Sequence, residues 1–301
     1  MIQTGMEPQL GSQLADPSFR KSYLTAFAVL EKLGRTRWYD AHFLYQFEAA
    51  KMFLQAVRPD EVERFVSAFE PLRTRADFQV CRFSNVLDDE AVQQATDLIR
   101  GLTTEQLKSF AMEGFGRSFL HNHPQFAALH ESMAAIVSQA AGETVEPSYT
   151  YLSLYNRDGV CPLHLDAPDA KWTLDICIDT DVDWPIHISR VGDWPDVSEF
   201  ASWNGEQGQL PSHREFAEQV LRYNEAILFS GSAQWHYRET IPADGHCHLL
   251  FLHYHPAGCG PLVRPREWAG HFELPELAVL IDLYDQWRME AVGPRYPDRP
   301  T

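Results

Sequence analysis

The 301-residue chain is 45% hydrophobic and 22% charged, an ordinary globular balance with room for one large domain or two small ones. Its 25 basic and 42 acidic side chains leave a formal charge of −17. That field repels phosphates, and with no local basic patch to offset it, it argues against a nucleic-acid partner. No apolar run approaches the roughly 18 residues of a membrane-spanning helix, and the opening stretch lacks the basic-then-apolar pattern of a secretory signal. Cys81, Cys161, Cys177, Cys247 and Cys259 are widely spaced with no CxxC, which indicates neither a disulfide framework nor a zinc knuckle. A cytoplasmic, non-membrane protein is the resulting expectation.

In chain order, polar residues to about position 17 precede a helical pattern over Ser22–Leu33, where Leu24, Phe27, Leu30 and Leu33 recur at three-residue spacing. A second helix is predicted over Tyr39–Val57 and a short third after Pro59, whose fixed φ suits a first turn. The aromatic stripes of these helices predict an N-terminal helical region, 1–75, that packs on a core spanning 76–301. Phe78–Phe83 reads as a strand. Helices follow over Asn85–Gly101, with Asp88 or Asp89 near its start, and over Gln125–Ala141, with Gly142 as its C-cap. Short strands are then expected at 147–155, 160–166, 171–179, 185–190, 225–230, 234–239 and 246–255. Gly192–Gln209 reads as a loop, Ser212–Tyr223 as a surface helix and Pro275–Val292 as a C-terminal helix. Many short strands without βαβ alternation predict a sandwich or barrel.

The chemistry centres on His164-Leu165-Asp166. On an extended strand, residues i and i+2 face the same way, so an imidazole and a carboxylate at this spacing can grip one metal ion. His236, after the apolar run Ala226–Ser230 and the turn Gly231-Ser-Ala, is the candidate third ligand. Two His and one carboxylate on one octahedral face make the facial triad of non-haem Fe(II) oxygenases, with the opposite face open.

The Tyr155–Gly159 turn before this motif, the alternating Trp172–Ile178 run after it, and the entry segment FQVCRF–NVLDDEAVQQATDLIRGL together resemble the 2-oxoglutarate/Fe(II) dioxygenase superfamily. The closest likeness is to its prolyl-4-hydroxylase-like and phytanoyl-hydroxylase-like branches, over roughly Phe78–His255. The resemblance implies an α+β fold: a double-stranded β-helix, or jelly-roll/cupin-like barrel, with flanking helices. It implies Fe(II), 2-oxoglutarate and O2 as cofactor and cosubstrates, with ascorbate as a supporting reductant. The implied reaction oxidises a small molecule, amino acid or peptide and releases succinate and CO2. Halogenating relatives lack the carboxylate that Asp166 supplies.

A 2-oxo dicarboxylate needs a cation. Such relatives place Lys or Arg about ten residues after the distal His, where this chain has His246, followed by His248. Arg238 shares a strand face with His236 and is the first candidate; Lys171 is another. Tyr155 is a candidate hydrogen-bond donor to the 2-oxo acid, and Arg190, with His187, a candidate lining of the pocket mouth. His253 and His255 read as sheet histidines. Two other readings stay open: a β-barrel scaffold with a degenerate metal site, and a cupin-like metal enzyme that does not use 2-oxoglutarate.

Overall fold

The computed structural model describes residues 7–34, 42–109, 111–112, 115–195 and 215–292. Helices come first: α1 (Glu7–Gln13), α2 (Pro17–Leu33), α3 (His42–Val57) and α4 (Val62–Ala68). Asp16 caps α2 by accepting from the Ser18 amide at 2.8 Å, and Pro17 stands at its first turn. The strand-rich middle then runs β1 (Cys81–Ser84), α5 (Asp89–Gly101), α6 (Thr104–Ser109), β2 (Ala111–Met112), β3 (Arg117–His121), α7 (Ala127–Ala141), β4 (Val145–Tyr155), β5 (Cys161–His164), β6 (Trp172–Thr180), β7 (Ile186–Ser189), β8 (Phe216–Gln219), β9 (Glu225–Phe229), β10 (His236–Arg238) and β11 (Cys247–Pro256). Helices α8 (Trp268–His271) and α9 (Glu276–Val292) follow. Asp88 caps α5, and Gly142 ends α7 in the left-handed conformation at φ 74°, as a C-capping glycine does.

These residues fall into two compact units. In the first, the chain up to Glu70 joins the chain from Pro261 onward. Helix α9 packs there on α2 and α3, and Phe43, Phe47, Phe65, Phe69, Trp268 and Phe272 interlock through tilted and edge-on ring contacts. The expectation that the C-terminal helix accompanies the β-rich core is thereby corrected. Its apolar residues Leu277, Leu280, Ile281 and Tyr284 are buried in the helical unit.

The second unit holds two antiparallel sheets, one of seven strands in the order β1-β9-β6-β11-β4-β3-β2 and one of four in the order β5-β10-β7-β8. Strand alternation sorts the side chains of the larger sheet. Trp172, Leu174, Ile176 and Ile178 of β6 point to one face with Ala226 and Leu228 of β9, where Val92 and Ala95 of α5 and Val137 and Ala141 of α7 cover them. The opposite face of the same strands carries Cys177, Ile227, Phe229 and Leu249, packed with Ile186 and Ile188 of the small sheet. Both faces of the central strands are therefore buried, and the polar residues on the face between the sheets form the site.

The structure differs from expectation at two places. The expected helix over Ser212–Tyr223 is replaced at Phe216–Gln219 by an edge strand paired antiparallel with β7, with Ile186 opposite Gln219 and Ser189 opposite Phe216. Most of the expected loop Gly192–Gln209 lies outside the described residues. Strands β2 and β3 and helix α6 were not expected at all.

Candidate metal centre

Strand β5 ends at His164, and the chain then turns so that the Asp166 amide donates to the Gly231 carbonyl at 2.8 Å. Strand β10 begins at His236, directly opposite His164 in the register. The antiparallel pairing of β5 with β10 sets His164 against His236, and the turn held by Gly231 brings Asp166 to them. Each offers one ligand atom, and these atoms lie within 4.8 Å of one another. His164 Nε2 is 3.5 Å from Asp166 Oδ1, His236 Nε2 is 3.9 Å from Asp166 Oδ2, and the two imidazole centroids are 4.1 Å apart.

Backbone carbonyls fix the tautomers. His164 Nδ1 lies 2.7 Å from Pro162 O, and His236 Nδ1 lies 2.9 Å from Gln234 O. A carbonyl oxygen only accepts, so each Nδ1 carries the proton and each Nε2 presents its lone pair toward Asp166. Burial holds His236 down at about 4, so it is neutral at pH 7. Burial pushes the Asp166 carboxyl up, but the two adjoining histidines outweigh it and hold the group below the usual carboxylate range, so it is ionised. Two imidazoles and one carboxylate are the donor set that a divalent first-row metal takes.

The next layer of contacts orients this set. Thr173 Oγ1 is 3.2 Å from Asp166 Oδ2 and 3.1 Å from His253 Nδ1. An ionised carboxylate can only accept, so the hydroxyl donates to Asp166 and accepts from His253. Gly231 closes over Asp166. A Cβ there would collide with Asp166 Oδ2 and stand 2.7 Å from Ala170 O and 2.8 Å from Thr173 Oγ1, so the position admits no side chain.

A cationic cluster adjoins the imidazoles. Arg238 is 2% exposed, and its Nη2 pairs with Asp175 Oδ2 at 2.8 Å while Nη1 donates to Trp184 O at 2.6 Å. It faces Cys161 across the strands, and Cys161 Sγ is 4.0 Å from His164 Nδ1. Arg117 of β3 donates from Nη1 to the Tyr155 hydroxyl at 2.7 Å, and Tyr155 packs on Trp184 with centroids 4.8 Å apart. Burial raises the Asp175 carboxyl against the pull of Arg238, and among the described residues its Oδ1 has no hydrogen-bond partner. Arg238 thus pairs with Asp175, while Arg117 holds the Tyr155 hydroxyl.

The other expected residues lie elsewhere. Lys171 is committed to Glu143 Oε1 at 2.5 Å and Pro71 O at 2.8 Å. His246 and His248 gather with Asp179 in a second group. His187 stacks on Tyr237 at 4.4 Å, and Arg190 is largely exposed, 3.5 Å from Glu215. His255 Nδ1 bonds Pro256 O, while His253, through Thr173, does reach the site. Sequence reasoning missed Arg117, Thr173, Asp175 and Gly231. For Thr173 and Asp175 the signal was available, since both share the Asp166-facing side of β6 at i, i+2 spacing.

No family model matches the chain, and no curated protein does. Among solved structures, AviO1 from Streptomyces viridochromogenes is 17% identical with a TM-score of 0.46, covering 64% of this chain and 95% of its own. HygX from Streptomyces hygroscopicus, solved with nickel and 2-oxoglutarate bound, is 12% identical with a TM-score of 0.45, covering 64% and 86%. A Pseudomonas putida prolyl-4-hydroxylase is 12% identical with a TM-score of 0.42, covering 61% and 95%. The solved structures similar to the chain also include a non-haem 2-oxoglutarate-dependent epimerase and a member of the 2OG-Fe(II) oxygenase family.

Proposed function

We propose that His164, Asp166 and His236 hold Fe(II) and that the chain is a 2-oxoglutarate-dependent oxygenase of an organic small molecule, amino acid or peptide. The observation that carries this reading is the convergence of two Nε2 lone pairs, each fixed by an Nδ1–H to carbonyl bond, on one ionised carboxylate. When bound, iron and the 2-oxo acid would supply electrons to O2 and so activate it toward the substrate. The chain's own residues hold, orient and enclose.

Electrostatics favours a dicarboxylate cosubstrate despite the overall charge of −17. A divalent ion beside Asp166 retains one net positive charge, which one carboxylate of the anion would neutralise, and Arg117 and Arg238 bring cations to the neighbourhood of Tyr155 and Asp175. Tyr155, held by Arg117, is placed to donate to one of its carboxylates, and the Arg238 fork, anchored by Asp175 and Trp184, backs the same surface. A double-stranded β-helix is the arrangement of the two sheets that this reading entails.

The test is anaerobic iron loading followed by succinate release from 2-oxoglutarate. The wild-type chain binds one iron at the site and forms succinate, and Asp166→Ala and His236→Ala do neither. Iron binding without succinate would transfer the chain to the cupin-like class that needs no 2-oxo acid. Loss of neither property in the two variants would overturn the assignment.

A further inference from the structure

A second pair of ligand-type residues at i, i+2 spacing, His246 and His248, brackets the start of strand β11, and the register places Asp179 of β6 directly opposite His248. The ladder shifts at this point, between His248 and Leu249, the sort of irregularity that re-aims side chains. One ligand atom from each of Asp179, His246 and His248 lies within 4.8 Å of the others. His246 Nε2 is 3.0 Å from Asp179 Oδ2, and His248 Nδ1 is 3.9 Å from the same oxygen. Tetrahedral coordination with bonds of about 2.0–2.1 Å sets ligand atoms roughly 3.3 Å apart, so small rotamer changes close the set.

Two features point to a ligand rather than to a chance cluster. His246 has a carboxylate at both ring nitrogens, Asp181 Oδ2 at 3.0 Å from Nδ1 and Asp179 Oδ2 at 3.0 Å from Nε2. Asp181 also accepts from the His246 amide at 2.7 Å, which locks the backbone. An Nδ1–H given to Asp181 leaves Nε2 and Asp179 to converge on one ion, the carboxylate–histidine–metal arrangement. Then His248 Nδ1 is buried and makes no hydrogen bond among the described residues, although an acceptor-type oxygen stands just beyond bonding distance. A buried, orphaned imidazole nitrogen costs free energy unless something fills the gap. The group borders a cleft of about 440 Å³, lined also by Asn156, Arg157, Asp244 and Gly245, which supplies open coordination positions.

We infer that Asp179, His246 and His248 form a second metal site, separate from the His164 group, for a divalent transition ion of the imidazole-preferring class, with zinc as the probe. It ties β6 to β11 and leaves at least one position for water or a ligand in the cleft. It requires nothing of the oxygenase reading.

The experiment is zinc stoichiometry, by elemental analysis after equilibration with buffered Zn²⁺, on the tag-free, metal-stripped full chain. Four variants are compared with wild type. Asp179→Asn, near-isosteric and half-exposed, and His248→Ala are each expected to bind one equivalent fewer than wild type. His164→Ala and His236→Ala are expected to retain that equivalent. A wild-type stoichiometry unchanged in both Asp179→Asn and His248→Ala overturns the site. So does its loss in His164→Ala, since the two groups would then not be separate.

Discussion

The His164 and His246 groups are built from the same parts and set in different surroundings. Each takes two ligands at i, i+2 spacing across a strand end and the third from the strand paired beside it: His164 and Asp166 at the end of β5 with His236 of β10, and His246 and His248 at the start of β11 with Asp179 of β6. In the first group the outer atom of every ligand is held, by Pro162 O, by Gln234 O and by Thr173 Oγ1, and His236 is 4% exposed. In the second only His246 has such a support, and the Asp179 side chain is 56% exposed. Ligand geometry alone thus does not distinguish a reactive centre from a surface ion site. Enclosure and outer hydrogen bonds do, since they raise affinity and exclude water. A direct measure is the order of metal affinities, with the His164 group expected to be the tighter.

The largest effect separates the interiors of the two neighbourhoods. Arg238 and Asp175 are a fully buried pair beside the enclosed group. Arg238→Ala strands the Asp175 carboxylate and is expected to cost about 3–5 kcal/mol of unfolding free energy in denaturant melts. His246→Ala, at the exposed group, is expected to cost well under that. A near-neutral Arg238→Ala would mean that the pair is solvated and the cationic wall absent. Because of this cost, the role of the guanidinium toward 2-oxoglutarate is better read in the double variant Arg238→Met/Asp175→Leu, which removes both charges.

Proton linkage gives the two groups opposite signs. Burial lowers His236 to about 4, below the roughly 6.5 of an unfolded histidine. The unfolded chain therefore binds more protons between those values, and the stability of the metal-free protein is lost as pH falls from about 6.5 to 4. The loss is on the order of 3 kcal/mol from this residue. At His246 burial acts downward, but Asp179 and Asp181 outweigh it and raise the group. Its small contribution is present at low pH and lost as pH rises through its raised value. Subtracting the melting profiles of His236→Gln and of His246→Gln from wild type between pH 4 and 8 should give slopes of opposite sign.

Gly231→Ala is the sharper probe of enclosure. The added Cβ meets a carboxylate and a backbone carbonyl, neither able to swing away as a flexible side-chain end would. Overpacking of this kind costs about 1–3 kcal/mol, and here it is delivered to Asp166. Iron affinity is expected to fall, with zinc binding at the second group unchanged. Gly258, where a Cβ would meet nothing within 4 Å, has φ 79°, so a substitution there tests backbone strain alone and should leave both metals in place.

Period-two spacing pointed to His164 with Asp166, and the apolar run before it to His236, whereas His246 and His248 drew notice only as what stands where relatives place a cation. What escaped was set by registers between strands distant in the chain. Asp179 joins His248 because β6 and β11 pair, and Arg117 joins Tyr155 because β3, too short and mixed to read as a strand, lies against β4. The polar stretch around Phe216 looks helical in isolation; an edge strand tolerates the same composition because only one of its sides must pair. The strand face shared with His236 pointed to Arg238, but the pairing of its guanidinium with Asp175 needed the fold.

The smallest effect concerns the outer support itself. Thr173 gives its one proton to Asp166 Oδ2, so the proton in the 3.1 Å contact with His253 must come from the imidazole. Thr173→Val keeps the volume and removes that bridge. Asp166 then keeps only the Gly231 carbonyl contact at its own amide to fix its turn, and its carboxylate can rotate. Loss of one outer hydrogen bond to a ligand is expected to weaken iron binding about 10-fold, near the lower end for such changes and equivalent to about 1.4 kcal/mol. The comparable change in the exposed group is Asp181→Asn, which replaces the charged acceptor of the His246 Nδ1 proton by a neutral one. If outer support is what ranks the two groups, Thr173→Val should narrow the gap in affinity between them and Asp181→Asn should widen it. Titrating metal into both variants against wild type measures the two shifts. A gap that moves in neither variant would assign the ranking to burial alone.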